Sequence, residues 1–233
     1  ENAFTYTGVT GEFNGSYQLI PIFPSDIGTS DDGGSGPETV TINEARSATS
    51  EVIFEGTVTR AFGAYARVQD DSGPTGASAI VIRQTGGDNS DGFQSDVSDG
   101  AIQPGTVIRI TGVPSEFRGL AQINGGDLTS YEVLSQGDVP AAQSVTLADL
   151  ESNGEDYESE LVEVTDLTFT EDSGTFENGT GYDVTDGTTT LTFRVQGTDE
   201  SAINGEPIPE GPFTYTGVTG QFTFDEPATN GYQ

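Results

Sequence analysis

Three acidic turns punctuated by glycine carry the clearest chemical potential in this chain: Asp31-Asp32-Gly33, Asp70-Asp71-Ser72-Gly73 and Asp88-Asn89-Ser90-Asp91-Gly92. Hard carboxylate oxygens on flexible turns suit Ca²⁺. None of the three reproduces an EF-hand loop, because residues 88–92 lack its regular spacing and its late bidentate Glu. Ordinary turn chemistry accounts for the same residues, and both readings stand. Calcium is the one cofactor expected, with Asp31, Asp32, Asp70, Asp71, Asp88 and Asp91 as candidate ligands. Two sequons, Asn14-Gly15-Ser16 and Asn178-Gly179-Thr180, make Asn14 and Asn178 the candidate glycan acceptors, both in expected surface turns.

Other chemistries lack their residues. The chain has no His, Cys, Lys, Met or Trp. Thiolate and imidazole zinc sites are therefore excluded, as is a Schiff base, and a Ser or Thr nucleophile has no ordinary base. A glycosidase needs two placed carboxylates, but among 38 acidic residues some pair always exists by chance. No enzyme is expected. The net charge is −31, and all seven basic residues are Arg. That charge repels other polyanions. It fits a saline habitat, calcium collection or a plainly solvated exterior.

The elements that would position these groups are short strands. Residues 4–11 (FTYTGVTG) recur at 213–220, and a looser copy lies at 107–116 (VIRITGVPSE). Aligned on Gly-Val, the copies begin at Gly8, Gly112 and Gly217, which are 104 and 105 residues apart. A period near a hundred residues is a domain repeat. Residues 1–27 read as a hairpin arm turning at Asn14-Gly15. Residues 28–38 (GTSDDGGSGPE) read as a linker. Two modules follow, 39–138 and 139–233, each with about five strands and at most one short helix. Hairpin-rich strands in this number predict an all-β fold of small Greek-key barrels. No stretch approaches the roughly 18 apolar residues of a membrane span. No secretory leader is read at the start, so a secreted chain is expected to be mature or internal.

The runs TINEAR, VIFEGTVTRAFG, AYARVQDDSG and IVIR, and later VTLADL and ELVEVTDLTF, resemble the tandem OB-like modules of secreted bacterial proteins of Bacteroidota type. Such modules accompany extracellular nucleases, phosphatases and lamin-tail-type domains. The resemblance implies tandem OB-like Greek-key barrels, an extracellular or cell-surface location, and no catalysis by the modules themselves. OB-like barrels suggest nucleic acid, but binding needs a basic groove and stacking aromatics. Only Arg60, Arg67, Arg83 and Arg194 fall near the expected barrel face. Phe62, Tyr65, Tyr182 and Phe193 read as core. No nucleic-acid partner is expected.

The expected partner is another copy of the chain, with glycans as a further candidate. The arm carries the closing hairpin of a module, and module 2 stops at Gln233, the equivalent of Gln18 and Gln122, short of its returning strand. An unpaired hairpin and an open edge satisfy each other by β-strand addition, head to tail, giving a filament of separate copies, or else the ends are cuts in a longer tandem protein and the arm belongs to the preceding covalent module. The candidate assembly residues are Phe4, Tyr6, Val9, Phe13 and Tyr17, then Leu19, Ile20, Ile22 and Phe23. Isopeptide links cannot hold this joint without Lys. The expected function is thus a non-catalytic repeating subunit of a surface fibre or array. The alternative is an accessory binding module of a secreted nuclease or phosphatase.

Overall fold

A computed structural model describes residues 4–6, 9–13, 16–20, 27–29, 38–71, 77–171, 173–198 and 201–233. The chain is mostly β-sheet and divides into two units, Glu1–Gly36 and Pro37–Gln233. Among the described residues, no helix is long and apolar enough to cross a membrane.

The smaller unit holds β1 (Phe4–Tyr6), β2 (Val9–Phe13), β3 (Ser16–Ile20) and β4 (Ile27–Thr29). Strands β2 and β3 form the expected antiparallel hairpin, from Val9↔Ile20 to Phe13↔Ser16. Strand β4 pairs antiparallel with β1, Tyr6 opposite Ile27 and Phe4 opposite Thr29. Gly28 and Thr29 therefore belong to a strand and not to the linker read from their composition. The backbone donors of β1 need partners, and β4 supplies them.

The larger unit begins with β5 (Glu38–Thr39), α1 (Ile42–Arg46), β6 (Val52–Phe62), β7 (Tyr65–Gln69) and β8 (Ala79–Arg83). It continues with α2 (Ser90–Ser98), β9 (Thr106–Gly112), β10 (Ser115–Phe117), β11 (Leu120–Asn124) and β12 (Leu128–Gln136). These strands make one sheet in the order β10-β11-β8-β7-β6-β9-β12, with β5 on β6. Alternation places Val52, Phe54 and Val58 inward from β6, where they pack with Ile80, Ile82, Ile108, Ile110 and Ile123, all buried. Helix α1 starts in a capping box: Thr41 accepts from the Glu44 amide, and Glu44 accepts from the Thr41 amide.

Helix α2 departs from the one-helix expectation. The run DGFQSDVS is turn-like in composition, and its only helical signal is Phe93 and Val97 four residues apart. Phe93 decides the matter by packing. It is fully buried and meets Tyr131 edge-to-face at 5.4 Å.

A second sheet follows, built from β13 (Gln143–Ser144), β14 (Leu161–Phe169), β15 (Gly181–Thr185), β16 (Thr190–Arg194) and β17 (Phe213–Val218), with α3 (Leu147–Tyr157) after β13. Its order is β13-β14-β15-β16, and β17 pairs with β14. The capping box recurs at Thr146 and Asp149.

The pairings repeat at the spacing read from the sequence. In the smaller unit Thr5 lies opposite Gly28 and Gly11 opposite Gln18. Adding 104 to each number gives Arg109↔Glu132 and Ser115↔Gln122, both pairs of the first sheet. In the second sheet Val162 lies opposite Gly217, as Val52 lies opposite Gly112 in the first. Gly220 and Gln233 exchange two backbone hydrogen bonds, where the first sheet has Ser115↔Gln122.

Candidate functional site

The segment 158–161 leads from the end of α3 into β14 and makes its polar contacts with residues of α1 and the first sheet. Ser159 adopts a left-handed backbone, φ +66°, and this turn aims successive groups at different partners. The fully buried Glu158 accepts from Arg46 Nη1 at 2.7 Å and from the Ala121 amide at 3.1 Å, and Arg46 Nη2 also holds Glu155 at 2.6 Å. Ser159 Oγ accepts from Arg67 Nη1 at 2.7 Å. Glu160 Oε1 accepts from the Ser78 amide and hydroxyl, both at 2.7 Å, and Gln143 donates to its Oε2. The Leu161 amide donates to Gln69 Oε1 at 3.0 Å. The two sheets are thereby locked together through polar groups. Burial pushes the Glu158 carboxyl upward, and the Arg46 charge and Ala121 amide only partly offset it. Burial likewise raises Glu160 against its Ser78 bonds. Nothing in the residue types signals this lock, because Glu158 and Glu160 sit in a chain crowded with acids.

Beside the lock, the second sheet leaves a space. Strand β8 is flanked by β7 and, in parallel, by β11, with Ile123 opposite Ile82. Its counterpart β16 pairs with β15 alone among the described residues. A cavity of about 360 Å³ opens there, floored by Leu147, Leu150, Val164, Leu167, Leu191 and Phe193. The space is a cleft open on one side, with a mainly apolar floor.

Four arginines border this cavity and its neighbour of about 420 Å³: Arg60, Arg67, Arg83 and Arg194. They are the four placed near the barrel face from sequence. Among the described residues, no Asp or Glu lines either space. Arg60 donates to the carbonyls of Thr59 and Thr216, and Arg83 to Tyr65 Oη and Asn124 Oδ1. Among the described residues, Arg60, Arg83 and Arg194 form no salt bridge. Tyr182 is buried and Phe193 half-buried, but Phe62 is exposed.

The described acidic turns, at Asp70–Asp71 and Asp88–Asp91, form no shared metal site. Among the described residues, no group of three carboxylates is arranged to hold a metal. Asp31 and Asp32 lie outside the described residues. Asp70 accepts from the Ile42 amide at 2.7 Å, so its carboxylate already serves α1. Asp71 and Asp88 are exposed, and Asp91 lies in the first turn of α2 and not in a free turn. Of the sequons, Asn14 lies outside the described residues. Asn178 sits in a turn before Gly179, φ +73°, and its amide donates to Asn204 Oδ1. Of the assembly residues, Phe4, Tyr6, Val9, Phe13, Tyr17, Leu19 and Ile20 fall on β1 to β3, whereas Ile22 and Phe23 lie outside the described residues. Compared with known proteins, the chain matches no family model and no curated sequence.

Proposed function

We propose that this chain is a non-catalytic extracellular structural protein, a repeating subunit joined head to tail by β-strand addition. One observation carries the reading: the outer edge of β16 is unpaired among the described residues and borders a mainly apolar cleft, while the matching edge of β8 is covered by β11. An open edge beside an apolar cleft favours an added strand. The OB-like reading draws support from the pairing scheme. Only Val113 and Pro114 separate β9 from β10, so the ladder from β6 through β7, β8, β11 and β10 leads back to β9 and β6. Tandem repetition draws support from the shared register of the two sheets. The chain of residues 1–233 is expected to form polymers in light scattering, and deletion of residues 1–36 to leave a monomer. Polymers from the truncated chain sink the arm as the joint.

The four arginines favour a second reading, an accessory binding module for an anionic ligand. Single-stranded DNA separates the two. The structural reading expects no binding by fluorescence anisotropy at about 150 mM salt, and micromolar binding favours the accessory role.

A further inference from the structure

Asn is followed by Gly at Asn14, Asn124, Asn153, Asn178, Asn204 and Asn230. This dipeptide can react with itself. The Gly amide nitrogen attacks the Asn Cγ, the side-chain nitrogen leaves as ammonia, and a cyclic succinimide forms. Water then opens the ring to Asp or to isoaspartate. Gly favours the attack because no Cβ shields its nitrogen. The structure treats these dipeptides differently. The amide of Gly179 is tied to the Val195 carbonyl at 2.9 Å, and that of Gly205 to the Phe176 carbonyl at 2.7 Å. Asn204 Oδ1 is also held by the Asn178 amide, and Asn124 Oδ1 by Arg83 Nη1. Gly231 is exposed, with φ +80°, and its amide donates to nothing among the described residues.

We propose that Asn230-Gly231 is a self-modifying site, at which the folded chain converts its own Asn230 to Asp or isoaspartate. Donors stand where charge develops. Gln221 Nε2 donates to the Asn230 carbonyl oxygen at 2.9 Å, the oxygen that takes up charge when the Gly231 nitrogen loses its proton. Thr223 Oγ1 accepts from the Asp225 amide at 3.1 Å, so its own hydrogen is free for Asn230 Oδ1, at 2.5 Å. That oxygen carries the charge of the tetrahedral intermediate. Asp225 Oδ2 accepts from Asn230 Nδ2 at 2.6 Å. A carboxylate only accepts, which fixes the carboxamide with its oxygen towards Thr223. Solvent hydroxide takes the Gly231 proton, the Gly231 N–Cγ bond forms, and the Cγ–Nδ2 bond breaks. Nδ2 takes a proton from water and departs as ammonia, and a further water opens the ring. The product sets a second carboxylate beside Asp225. A bond that ties the turn 223–230 becomes a like-charge contact, so the turn loosens as the molecule ages.

The test incubates the chain of residues 1–233, folded and in urea, at one mildly alkaline pH. Peptide mass spectrometry follows the replacement of NH2 by OH at each Asn. In the folded chain Asn230 should convert at least about tenfold faster than Asn178 and Asn204. In urea the three rates should converge, with Asn230 slower than in the folded chain. Thr223→Val keeps the side-chain shape and removes the donor. It should slow Asn230 by about tenfold in the folded chain and leave its rate in urea unchanged. The comparison of folded and unfolded wild-type chain needs no variant, so it decides even if Thr223→Val disturbs the turn. A folded chain in which Asn230 converts no faster than Asn178, or more slowly than in urea, overturns the proposal. An equal loss in both states on Thr223→Val removes Thr223 as the donor.

Discussion

The first sheet of the larger unit covers the edge of β8 with β11 and buries Ile123 beneath it, whereas the second leaves the matching edge of β16 beside a cavity. Both begin with a short parallel strand, a capped helix and a long central strand in the same register. In the first sheet β11 adds Ile123 to the buried core beside β8. The polar lock at 158–161 joins the two halves, together with the bond from Arg60 to the Thr216 carbonyl and that from the Thr223 amide to the Arg118 carbonyl.

That lock gives the largest test. Arg46→Ala leaves Glu158 buried without its counter-charge and should cost about 3–5 kcal/mol in urea denaturation. Adding Glu158→Gln should recover part of the loss, and no recovery means the pair is not the lock. The next test compares the cores at matched positions. Ile82→Ala removes a fully buried side chain and should cost about 2–5 kcal/mol. Phe193→Ala, half-buried beside open space, should cost only about 1–2 kcal/mol despite removing more atoms. Equal costs would erase the comparison.

Acidity should act on the lock with a definite sign. The folded pKa values of Glu158 and Glu160 are raised above the ordinary 4.5. The stability they contribute is whole below that value and is lost as pH rises through the folded values. Glu44, Asp149 and Asp186 act oppositely. The Thr41 amide, the Thr146 hydroxyl and the Thr189 amide, respectively, hold their pKa values low. Their contribution is lost as pH falls through the folded values. Tm should therefore rise from about pH 7 to about pH 5 and fall again at stronger acid. Glu158→Gln should shrink the rise, and a Tm that climbs with pH across this window removes the lock from the account. Calcium should give the smallest effect, less than about 1 kcal/mol at a free concentration near Kd, because Asp70 already serves α1. Identical melts in EDTA and millimolar Ca²⁺ discard the acidic turns as sites.

Much of the architecture was legible in the sequence. Alternation over residues 52–60 marks the central strand, and Gln122 and Gln233 pair with Ser115 and Gly220 respectively. Local pattern failed where distant partners decide. Gly28 and Thr29 look like linker until β1 pairs with them, and α2 looks like a turn until Phe93 is buried. Glu158 and Glu160 looked like two more surface acids, since what singles them out is Arg46 and Ser78, 112 and 82 residues away.

The placement of the arginines also bears on durability. A trypsin-like protease cuts only after Lys or Arg, and this chain offers seven such bonds. Arg60, Arg67, Arg83, Arg109 and Arg194 all lie within strands. Arg46 ends a helix with its side chain buried, and Arg118 occupies the tight hairpin between β10 and β11. Cleavage needs an extended, loosened backbone, which these sites, the exposed turn at Arg118 excepted, present only on opening a sheet or a helix. The half-life under trypsin should then follow opening of the sheets and shorten sharply in Arg46→Ala, so that the residues cementing the fold also protect it from digestion.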